Sequence, residues 1–287
     1  MPAHLGLCGL VAGGGVAAQA LGWHADLGEP TSIDVVGFVC GVDGRKVNLA
    51  QHRIPSSALG GLRPEPIERP TTIVVCGTSM DSGKTTSAAG IIRGLVTRGL
   101  RVGAAKVTGT GSGGDLWLMA DAGASPVFDF TWVGLASTYL MGHEQIVDAF
   151  VTLTDELYSA GVDVVVVEVA DGIFLSETRD LLGSDALRSR CDGVVFAAND
   201  AAGAGAGVDL LRRMNLSVVA VSGLLTASPL ATRETRATVD VPVLDLEQLW
   251  AADHHLLAGT RGQRRLTTRV MVGASPSAGD VPTMAAP

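Results

Sequence analysis

The sequence predicts an α/β fold in which a mainly parallel sheet is flanked by helices and preceded by a small N-terminal accessory domain. Short apolar runs alternate with helical stretches after residue 70, the order that produces parallel strands joined by crossover helices. Apolar residues make up 47% and aromatic residues 4% of the chain, and 37 of its 287 residues are glycine. This composition is typical of buried strands with glycine-rich connections. The length suits one large α/β domain with a small appendage.

The predicted accessory domain comprises residues 1–53. Within it, residues 33–42 and 45–49 flank an Asp-Gly pair at 43–44, which favours a tight hairpin turn. Residues 54–70 contain four prolines and two adjacent glycines, and such a segment continues neither a helix nor a central strand. They are therefore predicted to be a linker.

The predicted main domain comprises residues 71–260. Its clearest buried strand is DVVVVE at 163–168. A helix is predicted at 84–98, and the other predicted strands are 72–76, 101–107, 193–198, 216–221 and 241–244. Ligands of parallel sheets bind beyond the carboxyl ends of the strands, so residues that follow strand ends are the candidates for a site. Residues 261–287 form a C-terminal segment whose small, proline-bearing end is expected to be disordered.

Charge and hydropathy exclude several classes of partner. The 21 Lys and Arg against 29 Asp and Glu give a net charge of −8 without a basic cluster, which argues against binding to nucleic acid. No apolar run approaches the roughly 20 residues of a membrane span. The first ten residues lack the Lys or Arg of a secretory signal. The four cysteines lie far apart, as expected of reduced thiols, so a soluble cytoplasmic protein is predicted.

Residues 77–86, GTSMDSGKTT, lie between a predicted strand and a predicted helix. Glycines in such a loop let backbone N–H groups point at phosphate oxygens, and the helix N-terminus adds partial positive charge. Lys84 provides a charge for the β- and γ-phosphates, and the Thr85 hydroxyl suits Mg²⁺. The alternative is a glycine-rich turn without a ligand. The predicted phosphate-binding loop, or P-loop, consists of Gly77, Thr78, Ser79, Met80, Asp81, Ser82, Gly83, Lys84, Thr85 and Thr86.

The spacing of this loop resembles that of the dethiobiotin synthetase family, whose loop reads G-T-x-x-[DE]-x-G-K-T. Gly77 lies six residues before Gly83, and Thr78 stands where the simplest form, G-x-x-x-x-G-K-[ST], has its first glycine. Asp81 matches the acidic position. The chain is thus similar to P-loop NTPases of the SIMIBI class.

The same resemblance implies three further site residues. The family's second strand ends in a lysine that reaches the phosphates and the substrate, which corresponds to Lys106. Its next helix opens with an Mg²⁺-binding aspartate, which corresponds to Asp115. Its middle strand ends in a glutamate that also ligates Mg²⁺, which corresponds to Glu168. The resemblance runs in patches across roughly residues 71–225.

Departures from that family fall where it holds its diamino-acid substrate. Its K-P-V is K-V-T at 106–108 here, and its E-G-x-G-G is E-V-A-D-G at 168–172, so dethiobiotin synthesis is not carried over. A closer resemblance is to a poorly characterised P-loop family with the loop G-T-x-x-x-x-G-K-x-T-T and a separate N-terminal domain. That family includes a D-glutamate N-acetyltransferase, so a nucleotide loop of this form need not belong to a kinase.

Each candidate outside the loop also has a purely structural interpretation. Asp115 and Glu168 can converge on Mg²⁺ beside Thr85, but the first can instead be a helix cap and the second a solvated strand end. Lys106 can stabilise the transferring phosphoryl group or be a solvated lysine. Asp171 is a candidate general base or a turn residue, and the same choice applies to Asp81 in the loop, which could orient the attacking group.

Two further regions are candidates for ligand contacts. Asn199 follows a predicted strand and either contacts the nucleotide base or forms an Asx turn. Because the guanine signature N-K-x-D is missing, adenine is favoured over guanine. The segment 128–144 is unusually aromatic and forms either a substrate wall or part of the core. Its candidates are Phe128, Phe130, Trp132, Thr138, Tyr139 and His143.

The sequence therefore favours a Mg-ATP-dependent enzyme that transfers or uses the γ-phosphoryl group on a small-molecule acceptor, as a kinase or a ligase. Catalysis would then consist mostly of positioning and of charge compensation by Lys84 and Lys106, with Asp171 as the candidate general base. An N-acyltransferase that holds acetyl-CoA phosphates in the loop is the alternative enzyme. A non-catalytic nucleotide-binding protein is the alternative outside enzymes. By analogy of fold alone, two subunits could pair across the site.

Overall fold

The computed structural model describes residues 6, 8–26, 28–54, 69–251 and 256. Its N-terminal part contains a small antiparallel sheet of three short strands in the order β2–β1–β3, namely β1 (Cys8–Leu10), β2 (Ala17–Ala18) and β3 (Ser32–Ile33). The predicted hairpin at 43–44 is reduced to one antiparallel bridge, between Cys40 and Lys46, around a turn in which Gly44 has a positive φ of 73°. Residues 55–68 of the predicted linker and all of 261–287 lie outside the described residues.

The main domain contains a six-stranded parallel sheet, which confirms the predicted fold class. Its strands are β4 (Thr71–Gly77), β5 (Val102–Lys106), β6 (Val127–Asp129), β7 (Val164–Glu168), β8 (Gly193–Ala197) and β9 (Val218–Ser222). The strands are hydrogen-bonded in the order β6–β5–β7–β4–β8–β9, and all of their pairings are parallel. The carboxyl ends of all six strands therefore lie at one edge of the sheet.

Helices cover both faces of this sheet. They are α1 (Lys84–Thr97), α2 (Gly113–Asp121), α3 (His143–Ser159), α4 (Ser176–Leu182), α5 (Asp185–Arg190), α6 (Ala201–Arg213), α7 (Pro229–Thr238) and α8 (Leu246–Ala251). Three 3₁₀ helices lie at Leu49–His52, Phe130–Val133 and Leu224–Ala227. No helix in the described part of the chain is both long and apolar enough to cross a membrane.

The alternation of side chains along β4 assigns the helices to two core layers. Val74 and Cys76 face one layer, which contains apolar residues of α3, α4, α5 and α6. Ile73 and Val75 face the other, which contains residues of α1, α2 and α8. Every residue of β4 is buried, because successive strand residues point to opposite faces and both faces are covered.

The strand predicted at 241–244 is the main error of element assignment. The structure has one parallel bridge there, between Val221 and Val243. Pro242 accepts a hydrogen bond from Val221 N, but it has no N–H to donate, so the ladder does not extend into a strand. Strand β6 was not predicted, because two of its three residues belong to the aromatic segment at 128–144 that was considered either a substrate wall or part of the core.

The N-terminal part of the chain, which precedes β4 and is called the accessory part below, packs against the loop between β5 and α2. Gly14 approaches Gly111 so closely that an added Cβ would clash with the Gly111 carbonyl oxygen. Ile54 N donates to Trp132 O over 2.8 Å. Gly14 is therefore explained by a close approach of two backbones, and Gly15 by its positive φ of 88°.

A buried ion pair joins the start of β4 to the start of β8. Arg69 donates to both carboxylate oxygens of Asp192, over 2.6 and 2.9 Å, and Thr72 N donates to the same carboxylate over 2.8 Å. The two side chains are 11% and 9% exposed. Removing one charge of such a pair leaves the other buried and uncompensated.

We therefore expect Asp192→Asn to lower the free energy of unfolding by about 3–5 kcal/mol, measured by urea denaturation. Asp240→Asn is the matched control, because Asp240 pairs with Arg212 at the exposed surface and its loss should change stability little. Equal stability of the two variants would contradict a structural role for the buried pair.

Candidate functional site

Residues 77–86 form a loop between β4 and α1, in the predicted order of strand, loop and helix. Helix α1 begins at Lys84, and Gly83 before it has a φ of 90°. A Cβ at Gly77 would clash with Ser82 Oγ and lie 2.7 Å from Ala197 O, so only glycine allows the loop to curl there. Asp81 has a φ of 56°, a left-handed conformation that Asp adopts in tight turns.

Two neighbouring segments hold this loop from either side. After β7, an added Cβ at Gly172 would lie 2.5 Å from Thr78 O. After β9, Leu224 N donates to Ser82 O over 3.0 Å, and a Cβ at Gly223 would clash with that same oxygen. The loop is thus clamped between the ends of β7 and β9, which a sheet with this strand order brings to the same edge.

The chain has three lysines, and two of them, Lys84 and Lys106, lie in this site. Lys84 is 6% exposed, and its Nζ donates to Ser79 O over 2.6 Å. Burial lowers the pKa of Lys84. Lys106, at the end of β5, forms an ion pair with Asp115. Burial opposes the charge of Lys106, but Glu168 and Asp115 outweigh it and raise its pKa.

Three oxygen-bearing side chains converge beside the start of α1. Thr85 Oγ1 lies 3.0 Å from Glu168 Oε1 and 3.4 Å from Asp115 Oδ1. Glu168 is 1% exposed, and burial raises the pKa of its carboxyl group. Its second oxygen, Oε2, has no hydrogen-bond partner within the described ranges. Glu168 is therefore not a solvated strand end, and Asp115 is not the helix cap, since that position is Ser112.

This donor set fits a magnesium ion that is also bound by a nucleotide. Mg²⁺ prefers oxygen ligands and is commonly held by one or two carboxylates together with substrate phosphates and water. The described ranges contain no cluster of three or more His, Cys, Asp or Glu residues suited to a metal. The unpartnered Glu168 Oε2 and the Thr85 hydroxyl are the groups that such an ion would engage.

Asp171 lies near the same groups. It follows Ala170, whose carbonyl oxygen accepts hydrogen bonds from the hydroxyls of Thr108 and Thr178. These two threonines, which sequence reasoning did not single out, hold the backbone of the turn after β7. Sequence alone gives no signal for Thr178, because it lies on α4 and meets Ala170 only in the folded chain.

A pocket of about 420 Å³ collects the predicted site residues. It is lined by Met80, Asp81, Gly83, Lys84, Thr85, Thr86, Lys106, Asp115, Glu168, Ala170, Asp171 and Leu224. A second pocket, of about 520 Å³, shares Gly83, Thr86 and Leu224 with the first. Its other lining residues are Ser87, Ser222, Gly223, Thr226, Ala227, Asp245, Leu246 and Glu247. The two pockets are therefore adjacent along the first turn of α1.

Several predicted contacts lie elsewhere. Asn199 is exposed, donates to Ser79 Oγ over 3.3 Å and is not among the lining of either pocket. In the aromatic segment, Phe130 is fully buried, and Phe128 packs edge-on against Trp132 with ring centroids 5.1 Å apart. Neither Tyr139 nor His143 lines the two pockets. For Phe130 the core interpretation is therefore correct.

The chain matches no family model and no curated protein. Among solved structures it is similar to the signal recognition particle receptor FtsY from Elizabethkingia anophelis, with 16% identity, a TM-score of 0.46, and coverage of 74% of this chain and 69% of that one. The 54 kDa signal recognition particle protein from Aeropyrum pernix K1, in complex with GDP, has 19% identity, a TM-score of 0.41, and coverage of 74% and 52%.

FtsY from Thermotoga maritima has 13% identity, a TM-score of 0.42, and coverage of 69% of this chain and 72% of that one. None of these three is a dethiobiotin synthetase or an acetyltransferase. At such identities and TM-scores, the function has to be inferred from the site itself.

Proposed function

We propose that this protein binds a magnesium–nucleoside triphosphate and transfers its γ-phosphoryl group, either to a small-molecule acceptor or to water. One observation carries the proposal. The loop at 77–86, the cluster of Thr85, Asp115 and Glu168, and the cation of Lys106 all border a single pocket. Loop, magnesium ligands and a cation near the γ-phosphate are the parts on which phosphoryl transfer by P-loop proteins depends.

The loop residues supply the phosphate contacts. Lys84 is buried and donates to the carbonyl of Ser79, and a phosphate oxygen would be a charged acceptor in the same reach. Burial disfavours its ammonium form, so an adjacent anion would stabilise it. The hydroxyls of Thr78 and Ser82 are buried and have no hydrogen-bond partner within the described ranges. Such groups suit a loop that donates hydrogen bonds to phosphate oxygens.

The magnesium ligands would be Thr85, Asp115 and Glu168, directly or through water. A bound Mg²⁺ would neutralise charge that develops on the β- and γ-phosphates. The protein's own contribution is to hold the Thr85 hydroxyl between the two carboxylates. Asp115 also pairs with Lys106, so the cation is kept beside this cluster.

Lys106 and Asp171 would act on the acceptor side. The ammonium group of Lys106 can offset charge on the transferring phosphoryl group. Asp171 lines the same pocket and is a candidate base for an acceptor hydroxyl, amine or carboxyl group, or for water. The nucleoside would extend from Thr86 into the adjacent pocket of about 520 Å³. The sequence favoured ATP because the guanine signature N-K-x-D is missing. That argument concerned the loop after β8, which does not line this pocket.

The proposal is tested by calorimetric titration of the purified protein with ATP, GTP and acetyl-CoA, each with and without Mg²⁺. Magnesium-dependent binding of either triphosphate is expected, followed by release of the diphosphate in a screen of small acceptors. If acetyl-CoA binds and neither triphosphate binds, the proposed phosphoryl transfer is overturned in favour of acyl transfer. Tight nucleotide binding with no release of diphosphate under any condition would instead indicate a non-catalytic nucleotide-binding protein.

A further inference from the structure

The second pocket contains a carboxylate whose position depends on the edge of the sheet. Residues 242–244 run beside β9, with Leu244 N donating to Val221 O over 2.9 Å. Asp245 comes next and lines the pocket together with Ser222, the last residue of β9. Asp245, which follows a strand-like segment at the carboxyl edge of the sheet, therefore lies next to the first turn of α1. Thr86 of that turn also lines the pocket.

Asp245 is held in place at the start of α8. Its Oδ1 accepts a hydrogen bond from Gln248 N over 2.8 Å, and its own N–H donates to Gln248 Oε1 over 3.0 Å. Helix α8 packs on α1 at Gly90, where an added Cβ would lie 2.9 Å from Leu246 and 3.2 Å from Leu249. The carboxylate is therefore positioned relative to the helix that begins at the phosphate loop.

The chemistry of the pocket lining is that of hydrogen-bond acceptors with a few hydroxyls. Its charged side chains, within the part of the chain that the structure describes, are the carboxylates of Asp245 and Glu247, and its hydroxyls are those of Thr86, Ser87, Ser222 and Thr226. An ionised carboxylate only accepts hydrogen bonds. Guanine presents two neighbouring donors, N1–H and the 2-amino group, whereas adenine presents its N6 donor beside the N1 acceptor.

We propose that Asp245 binds the N1–H and 2-amino edge of guanine, so that the pocket selects guanine nucleotides over adenine nucleotides. The proposal rests on the nucleotide binding proposed above, and it replaces the adenine preference expected from the sequence. Glu247 lies in the same pocket but is exposed, so it contributes less to the choice of base. The hydroxyl of Ser222, which accepts a hydrogen bond from Ser87 Oγ over 3.4 Å, is available as a donor to the guanine O6 atom, whereas the Thr226 hydroxyl donates to Gly223 O.

The test is a calorimetric titration with GDP, ADP and xanthosine diphosphate in the presence of Mg²⁺, for the wild type and Asp245→Asn. Asparagine keeps the helix cap, so the variant should remain folded. Two carboxylate hydrogen bonds to one base edge predict that the wild type binds GDP roughly 10- to 100-fold more tightly than ADP. Asp245→Asn should lose that preference and gain affinity for xanthosine diphosphate, because the amide donates to the oxygen at position 2 of xanthine.

Glu234→Gln, on the exposed surface of α7 and outside the lining of either pocket, serves as the matched control and should behave as the wild type. Equal or tighter binding of ADP by the wild type overturns the proposal but leaves nucleotide binding standing. An unchanged GDP preference in Asp245→Asn also overturns it. If the wild type binds none of the three diphosphates and no triphosphate, the proposed function fails together with the inference.

Discussion

Lys84→Ala is expected to weaken binding of a nucleoside triphosphate roughly 10- to 100-fold, since it removes a buried charged donor from the phosphate loop. The Lys84 side chain is 6% exposed and lies in the pocket that borders Thr85 and Glu168. Within the described part of the chain, Lys84 Nζ donates to Ser79 O, a loop carbonyl, so its removal should leave the sheet intact. Calorimetric titration of the variant, with circular dichroism as a check of folding, measures the effect.

Lys46→Ala is the matched control for this substitution, because Lys46 lies on the accessory part, against the ring of Phe38 and far from the loop in sequence. It should bind nucleotide as the wild type does. An unchanged affinity in Lys84→Ala would show that residues 77–86 are a glycine-rich turn rather than a phosphate loop.

Glu168→Gln is expected to leave nucleotide binding largely intact and to lower magnesium-dependent turnover about 10- to 100-fold. The amide keeps the shape of the side chain but loses the charge that a divalent cation requires. In the structure, Oε1 accepts from Thr85 and Oε2 has no partner in the described ranges, so the carboxylate is free to bind an ion. Release of diphosphate measured against Mg²⁺ concentration separates a weaker metal affinity from a slower chemical step.

Asp209→Asn, an exposed carboxylate of α6, controls for the loss of one acidic residue and should leave the magnesium dependence unchanged. Turnover that survives in Glu168→Gln with the same magnesium requirement would mean that Glu168 is not a ligand of consequence. In that case Asp115 would be left as the only carboxylate of the proposed cluster.

The parts of the site that were predictable are those that local patterns determine. An all-apolar run such as residues 164–167 predicts a buried strand by itself, and Glu168 ends it with a charge. The loop at 77–86 was recognisable because its glycines and its lysine are close in sequence and follow a strand directly. Lys106 and Asp115 were predicted by resemblance, and the structure places Asp115 beside Thr85 and pairs Lys106 with Asp115.

The sequence does not predict the features that depend on contacts between distant segments. Asn199 was considered either a contact of the nucleotide base or an Asx-turn residue, and in the structure its amide donates to Ser79 Oγ while the residue lies outside the lining of both pockets. Asp245 was overlooked, although it directly follows the predicted strand at 241–244 and a strand end was the signal used elsewhere. Whether Asn199 or Asp245 lines that pocket depends on how far β8 and β9 extend and on how the chain returns beside β9.

The sequence by itself determined the α/β class, the glycine-rich loop between β4 and α1 and the residue types at the strand ends, because periodicity, glycine placement and spacing act over a few residues. Only the tertiary structure decided which strand ends are neighbours. The order β6–β5–β7–β4–β8–β9 places Glu168 and Lys106 on one side of the loop and Ser222 and Asp245 on the other. Strand order depends on how both faces of the sheet are packed. Residues from distant parts of the chain, such as Phe150 on one face and Leu249 on the other, are buried there.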